Sequence, residues 1–450
     1  MWRIWIIGLL ILTFFSFPAA AQSTVTIHIM VGLGRQVDGD QADRLAVLAE
    51  SFNAQHNDLK IEFDIVEQDT TLETLLASIE SGSTPDIAGP INIRILQDLH
   101  EFWADMTPYI EESGYSLEQF YPSSLAPLQF ENRQIGLPLG VYPSMLFYNA
   151  ELFDEANLDY PPHEFGTPEW TFDTLREISL ELTVDDYGFV ASEPEFDPAQ
   201  TIQWGFDDSW ASMREYLSLW GLKHAGVSDD RHTMQLDDPI IIEALTWYQN
   251  GLYNEHFIPS MEESNTLYDT GIASPFETGQ IAMFYSHTWF LFDEAENFDF
   301  DWNVAAVPTA PDGTANPRIH IDAFSILKAS MYQEEAWQVI TWLLEPEQQT
   351  QLCVMGNLFD CLPANLSLRE ATTTYIKERF PQVDTEVIFA SIENALMPNP
   401  ESWLPNEEID ILLDGVFYKL QNNELADTNI AAYMAQVQAE AQSLADEYWK

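Results

Sequence analysis

Past residue 23 the chain alternates with a period of two. Val25, Ile27, Ile29 and Val31 are interleaved with Thr24, Thr26, His28 and Met30, the pattern of a β-strand. Gly32-Leu33-Gly34 opens a polar stretch that runs to Asp40 and predicts a loop. Leu45, Leu48, Ala49 and Phe52 then fall at i, i+3, i+4 and i+7, one face of a helix. Leu59, Ile61, Phe63 and Ile65 alternate again. Strand, helix and strand in so short a span make a βαβ unit, which predicts a parallel sheet with a right-handed crossover. A second helix carrying Leu72, Leu75, Leu76 and Ile79 should stop at Ser81-Gly82-Ser83-Thr84-Pro85, and Ile87 begins a further short strand. Ligands of such a sheet sit at the carboxyl ends of its strands, here the Gly32–Asp40 stretch and Gly89-Pro90-Ile91-Asn92.

Further helices are predicted around Leu175, Ile178 and Leu182, around Ile240, Ile241, Leu245 and Tyr248, and around Ala336, Val339, Ile340, Leu343 and Leu344. The tail from Ile409 to Tyr448 is mostly helical, with Leu412, Leu413, Val416 and Leu420 on one side. The fold class is therefore α/β. At 450 residues, the chain is long enough for two or three lobes.

The first residues form a separate unit. Arg3 is followed by an apolar run from Ile4 to Phe17, then Pro18 and the small residues Ala19, Ala20 and Ala21. A mostly apolar run of fourteen residues falls short of the ~20 that span a bilayer, and the alanine triplet suits a signal-peptide cleavage site. Residues 1–21 are expected to be a leader removed before Gln22. No cysteine lies near the cut to carry a lipid anchor. Export bears on the only two cysteines, Cys353 and Cys361, eight positions apart. An oxidising compartment permits a disulfide between them, and two buried thiols are the other reading.

Charge narrows the ligand. With 73 Asp and Glu against 17 Lys and Arg, the formal charge is −56. Such a surface repels phosphate backbones and anionic lipid, so nucleic-acid binding is excluded. Familiar catalytic motifs are missing too. There is no P-loop, no HExxH helix and no GxSxG elbow. Gly32-Leu33-Gly34 lacks the third glycine of a dinucleotide loop, and Asp38-Gly39-Asp40 lacks the remaining ligands of a calcium loop. Nine scattered histidines show no metal-binding spacing, so neither metal nor cofactor is expected.

Six short runs, in order, carry a resemblance. They are Ser81–Ile87, Gln134–Pro138 with Leu146-Phe147-Tyr148-Asn149 and Leu152-Phe153, Pro168–Leu175, Phe276–Met283, Trp302–Pro308, and Glu335–Leu343. Together they resemble the extracellular solute-binding proteins of ABC importers, the maltose-binding-protein-like carbohydrate type. The resemblance implies the two-lobe type II periplasmic-binding-protein fold, with crossing strands and a cleft between the lobes. Lobe one would comprise 22–141 and 302–345, and lobe two 142–301 and 346–450. It also implies a monomer that closes by a hinge on a small solute, a neutral mono- or oligosaccharide above all, and delivers it to the permease subunits of an ABC transporter. The strong acidity makes a polyamine or other cation the second choice within that class. A secreted glycoside hydrolase is the alternative of another class, since it too needs carboxylates and aromatic platforms.

A sugar needs flat apolar faces for its C–H surface and polar partners for its hydroxyls. By placement, the aromatic candidates are Tyr142 in the crossing segment, Trp210 after Phe206-Asp207-Asp208, Trp289 after the Ala282-Met283 run, and Trp403 after Met397-Pro398-Asn399-Pro400. The polar candidates are Asp40, Asn92, Arg94, Asp207 and Asp322. Arg94 could equally be a salt-bridge residue.

Overall fold

The computed structural model describes residues 24–450 except 33–36, 38, 209–210, 225, 230, 269–273, 294, 355–358, 360, 398 and 400–406. The leader, Trp210 and Trp403 thus lie outside the described residues. The strands that build the main sheet are β1 (Val25–Val31), β2 (Leu59–Ile65), β3 (Ile87–Asn92), β4 (Leu137–Asn149), β5 (Met283–His287), β6 (Trp302–Ala305), β7 (Ile319–Ile326) and β8 (Leu362–Pro363). Helices relevant to the site are α1 (Gly39–Gln55), α2 (Gln68–Ser81), α3 (Ile93–Asp98), α4 (Phe172–Glu181), α5 (Met213–Leu219), α6 (Pro239–Tyr253), α7 (Thr288–Asp293), α8 (Gln333–Leu343), α9 (Glu407–Gln421) and α10 (Ile430–Tyr448).

β1 pairs in parallel with β2 and with β3, as the βαβ pattern requires. α2 ends where its sequence says it should. Gly82 has φ 72°, and its backbone N–H donates to the Ile79 carbonyl, the left-handed cap that only glycine adopts without strain. α1 starts at Gly39, earlier than the apolar stripe indicates, so Asp40 falls in a first helical turn rather than in a loop. There an acid faces the positive end of the helix dipole.

The eight-stranded sheet runs in the order β6-β4-β7-β3-β1-β2, with β5 and β8 also paired to β4. β4 is its spine. All thirteen of its residues are buried. The first half pairs antiparallel with β7 and β8, through contacts such as Val141 with Ile321 and with Leu362. The second half pairs antiparallel with β5 and β6, for example Phe147 with Phe284 and Val304.

Two hydrophobic cores result. The first holds α1–α3 and α8 against β1, β3 and β7, and continues across the crossing onto one face of β5 and β6 through Phe147, Phe284 and Val304. The second takes the other face, Leu146, Tyr148, Met283, Tyr285 and Ala305, together with α4, α5, α6, α9 and α10. Covering on both faces explains why β4 reads as continuously apolar instead of alternating. Core membership departs from the expected lobe limits at two places. Residues 302–305 pair with the second half of β4, and the chain goes back at β7. Leu352 to Ile392, expected beside lobe two, supply Val354, Phe359, Ile376 and Ile388 to the first core.

Cys353 and Cys361 form a disulfide, which decides between the two readings of their spacing. It packs on Gly140 of β4. A Cβ at that glycine would sit 2.5 Å from Cys361 Cβ and 2.7 Å from its Sγ, so no larger residue fits without moving the bridge or the strand. Closing so short a loop restricts the unfolded chain by about 2.5 kcal/mol on the chain-entropy account. Replacing both cysteines by serine should therefore lower the unfolding free energy by about 2–3 kcal/mol in denaturant titration. An unchanged midpoint would show that the bridge adds nothing to stability.

Candidate ligand-binding cleft

The strands bring their ends to one place. β1, β2 and β3 point their carboxyl ends toward the crossing, and Asn92 at the end of β3 pairs with Asp322 of β7. From the other side β5 ends at His287, which pairs with Ser144, and β6 runs in the same direction. The segment Trp204–Asp208 lies parallel to β5 through bridges from Trp204 to Ile281 and Asp207 to Phe284, so its end reaches the same floor. The floor itself is Tyr142, Pro143 and Ser144 of β4, facing His320 and Ile319 of β7.

Several predicted residues meet here. The Tyr142 hydroxyl lies 3.1 Å from Asp322 Oδ2 and 3.0 Å from the Phe359 carbonyl, and shares its one proton between them. Its ring is tilted against Trp289 at 5.9 Å. Trp289, in the first turn of α7, is half-buried. It stacks on His287 at 4.1 Å with planes 14° apart, and meets His320 edge-on at 5.0 Å. Asp322 and Asp207 are buried.

Three candidates occupy other roles. Asp40 is exposed on α1. The Asn92 side chain caps α3, accepting from the Ile95 backbone N–H at 2.9 Å, which is why an asparagine stands at that strand end. Arg94 takes the salt-bridge reading. Its Nη2 lies 2.6 Å from Asp410 Oδ2, while Asp98 is 4.0 Å from its Nε. Arg94 belongs to a helix of the first core and Asp410 to α9 of the second, and Arg214 of α5 holds the other Asp410 oxygen at 2.6 Å. One buried carboxylate thus ties the two cores together between two arginines.

Sequence reasoning missed the most densely charged group. Glu215 of α5, His287 and His320 converge with Arg318. His287 Nε2 lies 3.0 Å and His320 Nε2 3.5 Å from Glu215 Oε1, and Arg318 Nη1 is 3.1 Å from Oε2. These three side chains are of metal-ligand type, and their ligand atoms all lie within 4.8 Å of one another. They come from segments far apart in sequence, so spacing gave no hint. Period two did carry a hint: His320 shares a strand face with Asp322, and it sits opposite Tyr142.

The protonation states follow from the packing. Burial by itself raises a carboxyl, yet Arg318 and His287 hold Glu215 well below the usual range. Burial drives the His287 imidazole down to about 4 despite Glu215, so it stays neutral beside the carboxylate, its Nε2 3.0 Å from Oε1. Burial, reinforced by Asp207, keeps Asp208 well above the usual range. Asp208 and Glu215 therefore hold opposite protonation states, but both are enclosed by protein. A cavity of about 1020 Å³ lies away from this floor, against Phe172, Arg176, Trp220, Trp247 and Glu255.

Comparison with known proteins agrees with this architecture. The family of bacterial extracellular solute-binding proteins matches residues 36–350, well over half of the chain. The chain belongs to that family. Among its relatives is a Brucella abortus protein described as a binding protein, 23% identical over 315 residues, covering 66% of this chain and 67% of the relative. UspC of M. tuberculosis superposes with a TM-score of 0.72 at 22% identity, over 93% of this chain and 100% of UspC. The sugar-binding protein MalE of Xanthomonas citri gives 0.70 at 16% identity, over 94% and 98%. An ABC substrate-binding protein of Listeria monocytogenes, solved in complex with cycloalternan, gives 0.69 at 18%, over 94% and 99%. At these identities the structures establish the two-lobe fold of this solute-binding protein.

The buried histidine has a pH consequence. An unfolded histidine titrates near 6.5, the folded one near 4. Between those values the unfolded chain holds the extra proton, so stability falls as the pH drops through that window. The loss attributable to His287 is about 3 kcal/mol. It is read as the difference between the native chain and His287→Gln, because protonation of surface acids acts on both alike. Parallel stability curves for the two proteins would contradict the assignment.

Proposed function

We propose that this protein captures a neutral mono- or oligosaccharide between its two lobes by hinge closure, and delivers it to the permease subunits of an ABC importer. The observation that carries this reading is the half-buried face of Trp289. It is set in a wall with His287, His320 and Tyr142, where strand ends from both cores converge. An aromatic plane matches the C–H face of a sugar, and the surrounding carboxylate, imidazole and guanidinium groups match its hydroxyls. Solved neighbours with the same fold bind cycloalternan and mannobiose, which supports an oligosaccharide.

Closure follows from the contacts. The cleft residues are mostly covered in this state, so a solute enters when the lobes part, and the Arg94–Asp410 pair is broken on opening and remade on closing. A ligand touching both lobes shifts that balance by its differential affinity. The chain is proposed to act as a monomer and as a binder without catalysis, exported by a leader cut before Gln22 and without a lipid anchor. The lobes are proposed to divide within β4 near residue 141, with the chain returning to the first lobe at β7 and Leu352–Ile392 staying with it. Asp410, where the two cores meet, is held between Arg94 and Arg214 and offers no unpaired charge to a polyamine.

A thermal-shift screen of malto-oligosaccharides, mannobiose, spermidine and amino acids on the mature chain tests the reading. A cognate sugar at 100 times its Kd should add about 2.7 kcal/mol and raise the melting temperature, with the sugar recovered intact. Trp289→Ala should abolish that rise while leaving the unliganded melting temperature within a few degrees. Stabilisation by spermidine alone would replace sugar by cation, and release of new reducing ends would establish a hydrolase.

A further inference from the structure

The floor of the cleft holds a donor set that sugar binding does not require. Glu215, His287 and His320 come from α5, β5 and β7, and their ligand atoms all lie within 4.8 Å of one another. Both imidazoles turn Nε2 toward the same carboxylate oxygen, at 3.0 and 3.5 Å. The longer separation is at the limit for a hydrogen bond. Both match the edge of a tetrahedron around zinc, which bonds of ~2.0–2.1 Å make roughly 3.3 Å long. The two rings cross at 73° with centroids 4.6 Å apart, so they approach one point from different directions rather than stacking.

The surroundings resemble a supporting shell. Arg318 occupies the second oxygen of Glu215 at 3.1 Å and fixes the carboxylate so that Oε1 is presented to the histidines. Ligating carboxylates are ordinarily held by such outer partners. Trp289 stacks on His287 and fixes the plane of that ring. Arg318 is a cation, and the carboxylate of Glu215 that it pairs with balances its charge. His287 and Glu215 are enclosed, whereas the His320 side chain is 21% exposed and marks the side from which an ion can enter.

We infer that Glu215, His287 and His320 form a binding site for a divalent transition metal, zinc by donor type, at the base of the cleft. Two imidazoles and one carboxylate are three ligands of a four-coordinate ion. The fourth position lies on the side of His320 and takes water or a hydroxyl of a bound solute. Imidazole donors select zinc-like ions over calcium and magnesium, which the abundant surface carboxylates attract instead.

The test uses the metal alone, so its outcome is independent of which solute the cleft takes. The mature chain, stripped with chelator, is titrated with Zn²⁺ by calorimetry in excess Mg²⁺, which saturates the acidic surface. One ion per chain is expected, with a higher melting temperature. Co²⁺ at the same site should give the intense visible absorption of a low-coordinate nitrogen-and-oxygen set. His320→Ala, at a partly exposed position, should weaken Zn²⁺ binding at least ~10-fold with an unchanged circular dichroism spectrum. His287→Gln should do the same. Absence of a one-to-one site, or equal affinity in both variants, would overturn the inference and leave the three side chains as a hydrogen-bonded cluster.

Discussion

Everything in this molecule depends on one strand passing through two bodies. β4 is buried along its entire length and hydrogen-bonds on both edges, first to β7 and β8, then to β5 and β6. Backbone polar groups so deeply buried must be paired, and the antiparallel neighbours pair most of them, with a bulge at Asp322–Ala323 of β7. Because the partners change there, the sheet has a seam. Strand ends from both cores meet at that seam, and the side chains that can touch a ligand are the ones the seam collects. The disulfide over Gly140 braces the strand just before it.

The charge economy of the interior is the reverse of the exterior. A chain with 17 basic residues against 73 acids places Arg94, Arg214 and Arg318 around two buried carboxylates, Asp410 and Glu215. A buried ion without its partner costs several kcal/mol, so these pairs specify geometry more than they add net stability. One of them, Arg94 with Asp410, joins α3 of the first core to α9 of the second. It therefore bridges the two cores, and parting them would separate its charges. The neutral state of His287 belongs to the same arrangement, since burial disfavours its imidazolium more than Glu215 favours it.

Much of the fold was legible because it is periodic. The first βαβ unit, the stop at Gly82 and the late helices all follow from apolar spacing and capping residues. The placement of Tyr142, Trp289, Asp207 and Asp322 near the crossing was legible because the crossing and the strand ends can be located in the sequence. Asn92 looked like a ligand residue, and became a helix cap, because a strand end and a helix start coincide there and both favour asparagine. Asp40 looks like a loop residue in sequence because its helix begins with polar residues before the apolar stripe starts. Glu215, His287 and His320 stayed hidden for a different reason. Their proximity is a property of the seam, created by pairing between distant segments, and nothing local in sequence records it.

The central claim is that two cores move about the seam and that a solute draws them together. Spin labels at exposed Val47 on α1 and exposed Tyr418 on α9 report that separation by pulsed dipolar spectroscopy. The account predicts a broad or longer distance distribution without solute, and a shift to a single shorter distance when the stabilising sugar is added. An identical distribution in both states, with the sugar demonstrably bound, would contradict it.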